Sequence, residues 1–220
     1  VLAQAISGVC CLIYLIKKFP ILRVHGEEWR WRGHFVARLC GMGIPMGLQY
    51  SITAIGSVIL QTAVNGLGSV VVASMTAGGK LSMFFCCPFD AFGSTMATYA
   101  GQNLGAGKLD RVTKGMVQCS FVAAGYSVVA AIVMILFGKS FALLFVDSTE
   151  VEIIANVAKL LIINSLFFIP LALVNIIRFA IQGLGFGKLA IFAGVAEMVG
   201  RSIVGFGFVA RFGFVAACLA

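Results

Sequence analysis

Residues 43–69 read GIPMGLQYSITAIGSVILQTAVNGLGS, and the fold turns on whether this run belongs to a soluble core or to a bilayer. About 20 mostly apolar residues in helical form cross the hydrocarbon of a membrane, and the apolar stretch here extends from 35 to 62. Its polar residues are not scattered. Gln49, Thr53, Ser57, Gln61 and Asn65 fall at every fourth position, which places them in one stripe winding slowly around a helix.

The rest of the chain has the same character. Of its 220 residues, 60% are hydrophobic and only 11% charged, with a mean hydropathy of +1.04; soluble domains carry about 25% charged residues. Further complete candidate spans lie at 69–100, 115–137, 153–182 and 189–209, with shorter apolar stretches at 1–16 and 212–220. The expectation is an all-α, polytopic transmembrane helix bundle. A start at Val1 and an end inside an apolar run at Ala220 are expected of a piece of a longer polytopic protein.

A net charge of +8 would suggest nucleic acid in a soluble protein, but cytoplasmic loops of membrane proteins are enriched in Lys and Arg. Ten of the sixteen cations fall in alternate loops: Lys17, Lys18, Arg23, Arg30, Arg32 and Arg38; then Lys108, Arg111 and Lys114; then Lys188. The loops 17–34, 101–114 and 183–188 are therefore expected on the cytoplasmic side. Membrane lipids are expected as neighbours and nucleic acid is not.

Two of these loops share an element. Gln102–Lys108 and Gln182–Lys188 match at Gln, Leu, two glycines and Lys. Neither is a nucleotide cradle. A Walker loop needs glycine six residues before the lysine and a hydroxyl after it, whereas Gln102 and Leu109 hold those positions. Glycine suits a helix C-terminus and lysine the negative end of its dipole, so each element is expected to end a helix.

Enzyme chemistry finds no footing. There are no paired carboxylates, no H-E-x-x-H and no buried Ser-His arrangement. Seven cysteines, Cys10, Cys11, Cys40, Cys86, Cys87, Cys119 and Cys218, form no C-x-x-C pair and read as small apolar residues. His25 and His34 are too few and too shallow for a metal centre, and Trp29 and Trp31 read as an interfacial belt.

Polar groups at depth carry the functional signal, because they turn toward a cavity or a partner rather than toward lipid. On the second complete helix Thr76, Lys80, Cys87, Asp90, Ser94, Thr98 and Gln102 recur at steps of three, four or seven. On the segment 153–182, Asn156, Asn164, Asn175, Arg178 and Gln182 recur near helical spacing around Pro170. Pro45, Pro88 and Pro170 each remove a backbone donor and are expected to bend their helices. Glu197 and Arg201 stand one turn apart and can neutralise each other, with Arg178 a competitor for the carboxylate.

The run GIPMGLQYSITAIGSVILQTAVNGLGS, followed by FDAFGSTMATYAGQNLGAGKLDRVTKG (89–115) and later QGLGFGK, resembles the multidrug and toxic compound extrusion family across essentially the whole chain. The order is similar to that family's second half, from the end of helix six to the start of helix twelve. The resemblance implies one six-helix lobe of a pseudo-twofold, twelve-helix transporter, the N-terminal lobe being the missing partner. It divides the chain into 1–34, the end of a transmembrane helix with the inter-lobe linker, and 35–220, the C-terminal lobe.

It also implies secondary active efflux of drug-like, mostly cationic compounds by alternating access, driven by inward Na+ or H+ with no other cofactor, in a multi-pass protein of the cell membrane. Sodium-coupled members of one branch use acids on helices seven and ten; the aligned positions here carry Thr53 and the neighbourhood of Leu171 and Asn175. Gln49, Thr53, Gln61 and Asn175 are the expected cavity residues, and Asp90 and Glu197 the expected ion-coupling acids. A related lipid-linked saccharide flippase, with a cationic cavity drawing on Lys80, Arg178 and Arg201, is the alternative.

Overall fold

The computed structural model describes residues 2–19 and 32–219. Most of the linker expected over 17–34 thus lies outside the described residues. The described chain is helical, in the order α1 (Leu2–Lys18), α2 (Gly33–Asn65), α3 (Ser69–Gly105), α4 (Leu109–Ala142), α5 (Val151–Leu166), α6 (Phe168–Gly183) and α7 (Gly187–Ile203). A π-helical turn, Val204–Phe208, follows, then the short α8 (Val209–Phe212) and α9 (Phe214–Cys218).

Residues 1–39 and 40–220 form separate compact units. In the first, α1 is apolar along its length and ends on Lys17 and Lys18, cations that suit the negative end of the helix dipole. The second holds the bundle. α2, α3, α4 and the segment from Gly187 to Phe208 are each long and apolar enough to cross a membrane, and α5 with α6 makes a fifth span bent by 54°. These five coincide with the five complete spans expected from the sequence. Large apolar side chains such as Phe121 and Leu136 on α4 stand open at 76% and 69%, a surface that water would penalise and lipid solvates.

The bend has a local cause. Pro170 occupies the first turn of α6 and brings no N–H, while Phe167 closes α5 through its N–H to the Asn164 carbonyl at 3.0 Å. α6 then restarts with Leu171 N–H on the Phe167 carbonyl. Pro is tolerated in a first turn, where backbone donors lack intrahelical partners in any case. The proline therefore divides the segment into two helices. Pro45 and Pro88 lie inside α2 and α3, which run on as single helices.

α3 is the central element. Its contacts with α5 and α6 advance together along both chains: Gly78 with Leu160, Ser82 with Asn164, Gly93 with Phe179 and Ala97 with Gly183, so they run parallel. α4 runs the other way, with Tyr126 donating to the Phe85 carbonyl at 2.9 Å and Gly115 set against Tyr99. The fully buried Phe89 joins these layers, its ring 5.3 Å from Phe168 and 5.4 Å from Tyr126.

α2 and α7 also run parallel, and glycine sets their approach. Gly187 meets Met42, Gly194 meets Gln49, Gly56 meets Met198 and Gly205 meets Leu60. Without water to drive apolar association, membrane helices gain by such close packing of small residues. Met42 on α2, the end of α3 and the turn before α7 consequently share one end of this unit.

Both glycine-rich turns end a helix as expected, but in a different register from the sequence match. Gly107 and Gly185 take the left-handed conformation, φ 70° and 92°, and the next residue's N–H returns to the Asn103 and Ile181 carbonyls at 2.9 and 3.1 Å. Backbone closure makes Gly107 equivalent to Gly185, whereas the residue match pairs it with Gly187. The lysines do not cap the preceding dipole: Lys108 immediately precedes α4 and Lys188 lies in the first turn of α7.

Candidate functional site

The polar residues of α2, α6 and α7 meet along the two parallel packings. Gly194 on α7 is the enabling residue at the first level, because a Cβ there would fall 3.0 Å from Gln49 Cγ and 3.3 Å from its carbonyl oxygen. Its absence lets α7 cover Gln49, which is only 2% exposed. Gln182 at the end of α6 donates from Nε2 to Gln49 Oε1 at 2.9 Å. A buried amide on α2 is thereby tied to the end of α6.

One turn along α2, Thr53 donates from Oγ1 to Glu197 Oε2 at 3.3 Å. The other carboxylate oxygen holds Arg201 at 2.8 Å, and Arg201 also donates to Ser57 Oγ on α2. The order Thr53, Glu197, Arg201, Ser57 closes a circuit between two helices that Gly56 allows to touch, a Cβ there lying 3.2 Å from Met198 Cα. The circuit carries one negative and one positive charge. It is partly open, with side-chain exposures of 32% for Glu197 and 25% for Arg201, so an ion or proton can reach the carboxylate.

Arg178 does not compete for Glu197. It donates to Asn175 Oδ1 at 2.7 Å along its own helix and lies 5.3 Å from the Phe179 ring centroid. Asn175 is buried, and α6 places it one turn before Arg178. Gln61 stands apart: it is exposed and donates to Asn65 on its own helix at 3.0 Å.

Asp90 also stands apart from Glu197. It is exposed, as are Thr76, Lys80, Cys87, Ser94, Thr98 and Gln102, so the α3 stripe lies on the side that α4, α5 and α6 leave uncovered. Asp90 makes no hydrogen bond or ion pair among the described residues. Thr76, Ser94 and Thr98 return their hydroxyl protons to carbonyls of α3 itself. Two separate polar features result: a circuit between α2 and α7, and an open stripe on α3.

Ser57 and Gln182 are the participants that the choice of cavity residues omitted. Both belong to the periodic polar sets of their helices, and only the packing of α2 against α6 and α7 gives them partners. Among the described residues no three of His, Cys, Asp and Glu gather as a metal site.

Comparison with known proteins agrees with this architecture. The MatE family profile matches residues 45–206. A stretch of 116 residues is 32% identical to the probable multidrug resistance protein YpnP of Bacillus subtilis (strain 168), covering 51% of this chain and 25% of that protein. The crystal structure of MATE in complex with MaD3S superimposes with a TM-score of 0.72 at 17% identity, covering 82% of this chain and 41% of that one. The chain thus spans less than half the length of either relative. From Pro45 within α2 to Phe206 in the π-helical turn after α7, this multi-pass membrane chain belongs to the MatE family.

Proposed function

We propose that the protein containing this chain is a secondary active multidrug exporter, working by alternating access of two lobes around a site near the membrane midplane. Family membership and the likeness to a multidrug resistance protein support transport rather than catalysis. The observation that carries the reading is the Thr53–Glu197 hydrogen bond between α2 and α7. It joins an acid on α7 to a hydroxyl on α2 across two parallel helices packed closely on glycine.

The chemistry is an exchange of occupants. With Glu197 ionised, its two oxygens hold Thr53 and Arg201, and α2 and α7 are clasped. A proton or Na+ on the carboxylate weakens both contacts, because each depends on negative charge at the acceptor. The clasp loosens and the helices reset. Thr53 offers a hydroxyl dipole to an organic cation, whereas Gln49 and Asn175 are buried with their amide oxygens already bonded; Asp90 on the open face of α3 supplies a second acid. Glu197 neutralises Arg201, which leaves Lys80 and Arg178 for a flippase cavity and favours the exporter.

The cation-rich end, bearing Lys108, Arg111, Lys114 and Lys188, faces the cytoplasm of the cell membrane in this reading. The test is binding of a fluorescent organic cation to the purified full-length protein at varied Na+ and pH. Affinity should fall as Na+ or acid rises, and Glu197→Gln or Asp90→Asn should flatten that dependence. Binding indifferent to both ions in the wild type would exclude exchange at these acids.

A further inference from the structure

Arg178 is a membrane-embedded cation with no carboxylate beside it. Its partners are the neutral Asn175 amide and the Phe179 ring, and its Nε is buried without a hydrogen-bond partner among the described residues. Gln182 Oε1, one turn on, is likewise buried and unmatched. Arg201 also has a buried, unpartnered Nε, but its charge is neutralised by Glu197. A guanidinium inside a membrane span is costly unless something negative meets it.

The surroundings indicate what that is. Arg178 lines a cavity of about 220 Å³ between α6 and α7, whose other walls are Val174, Ile177, Ile181, Leu189 and Ala193. Every one of those is apolar. Arg178 stands five residues before the end of α6 at Gly183, hence about 7.5 Å along the axis from the helix end at 1.5 Å per residue. Lys188, in the first turn of α7, is exposed and, among the described residues, has no carboxylate partner. One uncompensated cation thus lines an apolar groove, and a second directly precedes the lining residue Leu189 in sequence.

We infer that the α6–α7 groove binds an anionic phospholipid, its phosphate on Arg178 and Lys188 and the start of one acyl chain along Val174, Ile177 and Ala193. A phosphodiester supplies the negative charge that the Arg178 guanidinium, held by a neutral amide and a ring, does not find among the described residues. Charge-assisted contacts to phosphate are the strong class of hydrogen bond, and basic pockets between membrane helices near the cytoplasmic face recognise anionic headgroups. A free anion would use the cations but not the groove. The lipid uses both.

The test takes the full-length protein in detergent and counts bound lipid by native mass spectrometry with dioleoyl phosphatidylglycerol, dioleoyl phosphatidylcholine or glycerol phosphate as probe. Wild type should retain phosphatidylglycerol over phosphatidylcholine by about tenfold, the scale of one charge-assisted contact. Arg178→Gln should erase that preference and Arg178→Lys should keep most of it. Ala193→Phe, which fills the groove and spares the charge, should also weaken phosphatidylglycerol retention. Equal retention of the two lipids by wild type would overturn the inference, as would full retention by both Arg178→Gln and Ala193→Phe. Glycerol phosphate binding as tightly as the lipid would reduce the site to a free-anion site and overturn it too.

Discussion

Thr53 on α2 and Glu197 on α7, 144 positions apart in sequence, are joined by a hydrogen bond of 3.3 Å. The same carboxylate grips Arg201 with its other oxygen, so the two substitutions that break this circuit should differ in cost. Thr53→Val removes one hydrogen bond and should cost about 1 kcal/mol. Glu197→Gln also leaves Arg201 uncompensated and should cost about 2 kcal/mol, between the values for exposed and buried pairs. Thermal unfolding of the full-length protein in one detergent ranks them. A larger loss for Thr53→Val would show that the charge of Arg201 is met elsewhere.

Gly183 on α6 is the tightest point of the bundle. A Cβ there would fall 2.2 Å from the Ala97 carbonyl oxygen on α3, and backbone cannot rotate away as a side chain can. Gly183→Ala should lower stability by about 3 kcal/mol, the upper part of the range for overpacking. Gly79→Ala, where nothing stands within 4 Å, should be neutral or slightly stabilising through helix propensity. Paired melting curves decide it, and equal midpoints for the two variants would contradict the close packing of α3 on α6.

The glycine-rich turns make a separate prediction about conformation and ligand. Gly107 at φ 70° and Gly185 at φ 92° sit where an L side chain is strained, so Gly107→Ala and Gly185→Ala should each cost about 1 kcal/mol. Lys108→Ala should leave the fold intact. Neither wild type nor that variant should bind ATP in equilibrium dialysis; saturable binding lost with Lys108 would identify the turn as a phosphate cradle.

Asp90 offers the opposite case from Glu197. Because it is exposed and makes no hydrogen bond or ion pair among the described residues, Asp90→Asn should leave stability within about 0.5 kcal/mol of wild type. A loss as large as that for Glu197→Gln would mean that Asp90 has a structural partner outside this chain's described residues.

The spans were legible because apolar length is a strong signal, and the boundaries near 69, 105 and 183 because Gly clusters at all three and Lys follows at the last two. The polar stripe of α2 was legible as periodicity, yet periodicity cannot say which helix it faces. Thr53 and Ser57 found Glu197 and Arg201 because α7 runs parallel to α2 over Gly56 and Gly194, and that pairing is written in glycines whose partners lie more than 130 residues away. Gln61, in the same stripe, stays on its own helix because α7 gives way there to the π-helical turn at Val204–Phe208. The two-residue offset between matched letters and matched turns has a similar origin. Positive φ at Gly107 and Gly185 follows from backbone closure, and a count of identical residues does not register it.

The most direct measurement of the central claim is gradient-driven efflux of a fluorescent organic cation from vesicles carrying the full-length protein, with Na+ and proton gradients imposed separately. Wild type should move dye against its gradient under at least one ion gradient and stop when that gradient is collapsed. Glu197→Gln and Asp90→Asn should still insert and bind dye while export falls at least tenfold. Dye movement that needs no ion gradient would contradict coupled export, and undiminished coupled export by both variants would contradict the role given to Glu197 and Asp90.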